Sequence, residues 1–397
     1  MTEQLDRDSG VRPTMAEGLG RAGRAVAGWG RHGDTSRSDA IGAVLVYLAC
    51  IAGAIVISGV LVAATGGSAT AVFSALVDGS LRSPGAWGLT LTTAAPLLLV
   101  AVGTIVATRA GLVNIGQEGQ LLIGACFTAY VAVRMPGPGW LVIAGSLAAG
   151  AIGGGLWAGI AAWLRAWRNV PEVLTTLLLT FVAFAAMTYG LRQSWLLADR
   201  DTARVNHVNS GEQIPLDTKL PDMRVLGNAI DSGFLLALTL TFAAMWVVAR
   251  TMLGARIDVV GLNPRAAQRF GVAQKPLAAA VLIGSGATAG LAGAVMLEGG
   301  AAGDRLVFGF SGDVGWDGLL VAMLARNRIG LAVPMALVFA ILRTGSSFLA
   351  ATGVDRKMTD VTQALLVLAL LLAPALLEVR DQRRLQRAPI GRAEAVA

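Results

Sequence analysis

The sequence predicts an all-α, polytopic membrane protein with about ten transmembrane helices, and three observations carry that prediction. Of 397 residues, 55% are hydrophobic and only 14% are charged, against the roughly 25% charge of ordinary soluble domains. The mean hydropathy is +0.64. Several continuous apolar runs approach the ~20 residues that a helix needs to cross a bilayer, whereas a membrane β-barrel would show short alternating segments.

The same composition excludes several kinds of chemistry. Cys50 and Cys126 both lie in apolar runs, and His32 and His207 lie far apart in polar segments. This is neither a disulfide framework nor a metal-ligand spacing, so no metal and no cofactor are expected. The isoelectric point is about 10.2, but the basic residues cluster in loops between spans, where they set orientation rather than bind nucleic acid. No Gly-x-x-x-x-Gly-Lys-[Ser/Thr] string occurs, so the chain has no P-loop for ATP. Gly309-Phe310-Ser311-Gly312 looks like an intramembrane protease nucleophile. That chemistry needs a base for the serine proton, and no span offers a histidine.

In chain order, residues 1–39 are rich in Arg, Gly, Asp and Ser, with charges that balance, and read as a disordered cytoplasmic tail. The first span is placed at Ile41–Ala64 and the second at Gly88–Ala107, where Pro96 predicts a kink. The third begins inside the string Gly111–Gly124 and ends near Val133. The fourth, Trp140–Leu164, carries Gly150, Gly154, Gly155 and Gly159, small residues that let helices approach closely in lipid. The fifth, Val170–Gly190, opens on Pro171-Glu172. The longest polar insert, 191–231, separates it from the sixth, Ser232–Ala249. A basic loop, 250–276, leads to the seventh, Leu277–Leu297. The eighth, Leu306–Ala325, is interrupted at Gly309–Gly318; the ninth is Ile329–Ala351 and the tenth Val361–Leu377. Residues 379–397 form a basic tail. Arg165/Arg168, the loop 250–276, Arg326/Arg328 and the tail then share the cytoplasmic side, with both termini inside and 191–231 outside. The permease body is residues 40–378.

Two stretches carry the candidate functional residues. In Gly111–Gly124, the polar residues Asn114, Gln117, Glu118 and Gln120 stand among glycines at or inside a membrane boundary. Polar groups there are costly and usually face protein or a water-filled cavity, and a broken helix with polar side chains is a common build of a transport path. The alternative is an interfacial loop with Glu118 solvated. In the loop 250–276, Asn263 caps a short helix, Pro264 takes its first position, and Gly271 ends it. That helix is shaped to dock on another protein. Membrane carboxylates lie near span ends, which weighs against a proton-coupled carrier. Neutral amides and hydroxyls suit a neutral, hydrogen-bonding solute, and no span cation is expected to await a phosphate.

The motifs then become specific. Gly254…Val260-Gly261-Leu262-Asn263-Pro264…Ala266-Ala267…Gly271 resembles the coupling-helix region of ABC importer permeases in the ribose and branched-chain amino-acid superfamily. The string from Gly111 to Gln120 resembles the hallmark of the nucleoside-type branch, as do Glu172-Val173-Leu174-Thr175-Thr176 and Gly315-Trp316-Asp317-Gly318-Leu319-Leu320-Val321-Ala322. The four stand in family order. Pro171 replaces a frequent Asn, and so does Thr180.

The resemblance implies a type II importer-like permease subunit, with ATP used by a separate chain. It implies three partners: a second, related permease, a cytoplasmic ABC ATPase and an extracytoplasmic substrate-binding lipoprotein. Asn114, Gln117, Glu118, Gln120, Glu172, Thr175, Thr176, Trp316 and Asp317 are then candidates to line the path of a small-molecule solute. Gly261, Asn263, Pro264, Arg265, Ala266, Ala267 and Gly271 are candidates for ATPase coupling, with Ala266 and Ala267 small enough for close approach. A nucleoside is the expected solute. A simple, ribose-like sugar and an ATP-independent secondary carrier are the alternatives.

Overall fold

The structure is a computed structural model that describes residues 37–64, 70, 74, 77–199, 210–225, 227–300, 303–351, 361, 364–365, 368–369, 372–373, 375–377 and 379–380. The expectations for the N-terminal tail up to residue 36, for His207 and for most of the basic C-terminal tail lie outside the described residues. Two compact units are present, Met1–Leu45 and Val46–Ala397. In the first, residues 37–45 are the opening turns of α1 (Arg37–Ala64).

The elements of the second unit are helical apart from one hairpin. After a five-residue π-helical turn, Asp78–Arg82, come α2 (Ala86–Arg109), α3 (Gln117–Arg134), α4 (Gly139–Arg168) and α5 (Glu172–Gly190). The strands β1 (Asp222–Val225) and β2 (Asn228–Asp231) precede α6 (Ser232–Arg250). Next come α7 (Met252–Leu262), α8 (Pro264–Arg269), α9 (Gln274–Glu298), α10 (Val314–Leu324) and α11 (Ile329–Ala351). Among the described residues, α2, α4, α5, α6, α9 and α11 are long and apolar enough to cross a membrane. Polar residues at its start and Arg134 at its end set α3 apart, and α10 is short.

Burial ranks the spans. In α2 78% of the most apolar stretch is buried, against 17% in α6, so α2 is the central span and α6 a peripheral one. Contacts agree: α2 packs on α6, α9, α10 and α11, and α9 packs on α3 and α4. Pro96 is accommodated inside one continuous helix. The α4–α9 crossing is close because it is built on glycine. A Cβ on Gly290 would lie 2.8 Å from the Cα of Gly154, and one on Gly124 of α3 would strike the backbone of the same Gly290. In lipid, where apolar burial gives no net drive, such backbone approach supplies the packing.

The two ends of the bundle differ. At one end, Gly88 of α2 touches Ala229 of β2, Gly139 of α4 touches Asp217, and Leu220 N–H donates to the Glu298 carbonyl at 3.1 Å. The insert after α5 therefore folds over that end, with an antiparallel hairpin in the register Asp222↔Asp231 to Val225↔Asn228. At the other end, the last residues of α2 and α4 meet α7, α8 and the starts of α5 and α9 around a cavity of about 440 Å³.

Candidate functional site

The start of α3 is the break that the sequence predicts. Helix α2 stops at Arg109, Gly111 turns the chain at φ 74°, and residues 112–115 run without helix until Gln117 opens α3. The segment is pinned to α5: Ile115 N–H donates to Thr176 Oγ1 at 3.3 Å, and Gly116 N–H to Asn114 Oδ1 at 3.1 Å. A Cβ on Gly116 would stand 2.8 Å from the Thr176 carbonyl, and one on Gly119 2.8 Å from the Cα of Thr180. Only glycine allows this approach.

Five polar side chains meet behind that segment. Asn114 and Gln120 exchange both amide bonds, Nδ2 to Oε1 at 2.9 Å and Nε2 to Oδ1 at 3.0 Å. Asn114 Nδ2 also donates to Ser285 Oγ of α9 at 3.1 Å. Gln117 Nε2 donates to the same oxygen at 2.8 Å and to Thr104 Oγ1 of α2 at 3.0 Å. All of these residues are buried. The network thus ties α2, α3 and α9 together, and buried polar groups in a low-dielectric interior persist only when bonded in this way. One acceptor stands out: Gln117 Oε1 is buried with no hydrogen-bond partner.

Glu118 is 0% exposed, which overturns the solvated-loop alternative. Its Oε2 accepts the Gly315 N–H at 2.7 Å, so it caps α10 from α3. Arg343 of α11 holds the same helix start, donating to Asp317 at 2.8 Å and to the Gly312 carbonyl at 2.5 Å. Trp316 and Asp317 are half-buried there. Arg343 is a cation inside a span, and it is engaged with these groups rather than left to await a phosphate. A lone arginine in an apolar run was the signal that could have found it. Thr104 and Ser285 were also missed, because single hydroxyls in apolar helices commonly bond their own backbone and carry no signal.

Glu172 opens α5 and pairs with Arg165 of α4. Thr175 Oγ1 donates to the Pro171 carbonyl and Thr176 Oγ1 to the Glu172 carbonyl; both are buried, and Thr176 meets the segment before α3. Arg165 and Glu172 also line the 440 Å³ cavity, with Leu112, Val260, Gly261, Pro264 and Lys275. The predicted path residues therefore fall into four groups: the amide network, the α10 start, Glu172 on the cavity wall, and the two threonines of α5.

The loop 250–276 contains the short helix expected of it. Asn263 Oδ1 accepts the Ala266 N–H at 3.1 Å, Pro264 opens α8, and Gly271 comes after it at φ 74°. Arg265 is exposed, and Leu262 and Phe270 are 74% and 82% exposed. Ala267 departs from its predicted place on a docking surface. It is 0% exposed, because it faces the chain's own interior. Ala266, half-buried, lies between the two.

Comparison with known proteins gives this geometry its context. The family described as the permease component of the branched-chain amino acid transport system matches residues 88–374. The glucose ABC transporter permease protein TsgB13 of Haloferax volcanii is 34% identical, over 72% of this chain and 76% of that protein. The guanosine ABC transporter permease protein NupP of Bacillus subtilis is 29% identical, over 82% of this chain and 90% of that one. The nucleoside ABC transporter permease protein NupB of Lactococcus lactis is 28% identical, over 82% and 89%. Permeases of this kind work with a separate ATPase and a binding protein and are not themselves enzymes. With its family matched over most of its length and its apolar spans in place, the chain belongs to the branched-chain amino acid transport system permease family, as a multi-pass ABC transporter permease subunit of the cytoplasmic membrane.

Proposed function

We propose that this chain forms one half of the translocation path of an ATP-driven importer for neutral, hydrogen-bonding solutes, and that nucleosides are its substrates. The observation that carries the reading is the buried amide network of Asn114, Gln117 and Gln120, in which Gln117 Oε1 has no hydrogen-bond partner. Leaving such a group unbonded costs about 1–3 kcal/mol. Solute hydroxyl or amino donors would offset that cost when the spans separate. Relatives named for guanosine and nucleosides match over 82% of the chain, which supports the same class.

In this reading the path runs from the end covered by the insert 191–231, past Asn114, Gln117, Glu118 and Gln120, to the cavity beside Glu172. Thr175 and Thr176 line it, and Trp316 and Asp317 set the position of α10. A second, related permease completes the path. NupP and NupQ, two guanosine permeases of one organism that both match this chain, support that pairing. A binding lipoprotein delivers solute outside, and a cytoplasmic ATPase docks on α8. Ten spans with both termini inside fit the basic loops. Cysteines at Leu216 and Arg265 would then label from opposite faces of the membrane, and labelling from one face would overturn the topology.

A second reading, a simple sugar as solute, is favoured by the 34% identity to a glucose permease. Uptake of labelled nucleoside by the assembled transporter, competed with unlabelled nucleosides, glucose and ribose, decides between them. Competition by nucleosides alone supports the proposal, and competition by sugars alone supports the second reading. Uptake that survives an ATPase-inactive partner would point to a secondary carrier.

A further inference from the structure

Helix α7 stands between two breaks. Extended residues flank it: Thr251 (φ −117°, ψ 158°) separates it from α6, and Asn263 (φ −151°, ψ 93°) separates it from α8. The loop around it holds Arg250, Arg256, Arg265, Arg269 and Lys275 against one carboxylate, Asp258. That carboxylate engages a partner far away in sequence. Arg109, the last residue of α2, donates from Nε to Asp258 Oδ1 at 2.9 Å and from Nη2 to Oδ2 at 2.7 Å. This two-pronged form fixes orientation as well as distance.

The backbones touch beside the pair. A Cβ on Gly261 would strike the Arg109 carbonyl, and one on Gly111 would lie 3.4 Å from the Gly261 Cα. Helix α7 is thus held to one end of α2 by an ion pair and by direct backbone contact. Thr104, which accepts from Gln117, lies five residues before Arg109 on α2. That is little more than one helical turn of about 3.6 residues. The central span therefore joins the loop directly to the buried amides. The cavity wall contains Ala110, Gly111, Val260 and Gly261, so rocking α7 would reshape it.

We propose that Arg109 and Asp258 are a positioning pair that carries movement of α8 through α7 into α2, and so to the network at Asn114, Gln117 and Gln120. The proposal rests on the reading of α8 as the contact with the ATPase. A simple staple between two helices would make the same bonds, so the test must read coupling rather than folding.

The complete transporter is reconstituted with wild type, Arg109→Lys, Asp258→Asn, and the exchange Arg109→Asp with Asp258→Arg, and solute uptake is measured per ATP hydrolysed. Arg109→Lys keeps the charge and loses the two-pronged geometry. In both single variants the ratio should fall by about tenfold, within the usual range of coupling between sites, while the ATPase still co-purifies and hydrolyses. The exchange should restore part of the ratio. An unchanged ratio in the single variants, or uptake and hydrolysis falling in proportion across all three, overturns the pair's role. A cysteine at Arg265 in the wild-type background separates the two ideas. Cross-linking to the ATPase with unchanged ratios sinks the pair alone, and failure to cross-link removes the reading of α8 and this proposal with it.

Discussion

Two long polar connections leave the bundle at opposite ends, the insert 191–231 and the loop 250–276, and they treat their charges differently. Both expose apolar side chains: Leu216 in the insert, Leu262 and Phe270 in the loop. Apolar exposure therefore does not separate them; charge balance does, with five basic and six acidic residues in the insert against five and one in the loop. The insert pairs with the segment before α10: Arg305 binds Asp199 at 2.9 Å and Gln213 at 3.0 Å, Gln213 donates to Asp304 at 2.6 Å, and Lys219 pairs with Asp304. Backbone bonds from Gly211 to Leu306 and from Ile214 to Asp304 stitch it to the segment before α10. In the loop, the single carboxylate goes to Arg109, and among the described residues Arg256, Arg265 and Arg269 have no ion pair. A connection whose charges nearly cancel presents little net field. One with a surplus of a single sign presents a field to something outside, and complementary charge governs encounter and partner choice.

The largest expected effect breaks that comparison at its most exposed side chain. Phe270→Ser should weaken ATPase association by roughly thirtyfold, the equivalent of a 2 kcal/mol hot spot, with no change in the thermal stability of the isolated chain. Leu216→Ser in the insert should leave ATPase association at the wild-type level. Equal weakening by both, measured by co-purification at graded dilution, would mean that the two connections do not differ as described.

Charge reversal in the loop comes next. Arg265→Glu with Arg269→Glu should slow assembly with the ATPase by about tenfold at low ionic strength, and less in salt, because steering by exposed charge is screened. A salt-independent defect would argue against a complementary acidic partner. At the other end, Arg305→Gln removes the guanidinium that pairs with Asp199 at 2.9 Å, a residue whose side chain is 13% exposed. It should cost about 2 kcal/mol of stability, as loss of a partner for a buried polar group does, and leave ATPase association intact. Thermal unfolding of the two variants side by side reads the difference.

Legibility in the sequence divides between local and distant contacts. The broken start of α3 and the capped α8 were legible, because glycine, asparagine and proline act on the local backbone whatever surrounds them. The close crossing at Gly154 was legible as a small-residue ladder, although its partner Gly290 was not. Contacts between distant segments left no trace: Glu118 capping α10, Ser285 joining the amides, Arg109 reaching Asp258. These depend on which spans meet, and apolar periodicity gives spans without their neighbours. The burial of Ala267 belongs here too. An alanine in a short polar helix reads as a gap for a partner, and only the packing of α8 shows that its own chain fills the space. The hairpin at 222–231 was hidden for another reason: four-residue strands are too short for alternation to register.

The smallest expected effect concerns Asp231 and sharpens the comparison from the insert's side. This residue caps α6, accepting the Gly233 N–H at 2.9 Å, and it faces Asp222 across the hairpin. Burial pushes its carboxyl up from the ordinary 3.8 to about 6, with Asp222 adding to the rise and the Gly233 bond opposing it. The folded chain then holds a proton that the unfolded chain has already released. The stabilisation is fully present below the unfolded value and is lost as pH rises through about 6. Between pH 5 and 7 the insert should therefore lose on the order of 1 kcal/mol by linkage. Asp231→Asn keeps the cap acceptor and removes the titration. Its melting temperature should vary less over that range than the wild type's, by a few degrees at most. A variant with the same slope as wild type would show that the carboxyl is ionised and solvated in the folded state, and the insert would then be no more closed on the chain than the loop 250–276 is.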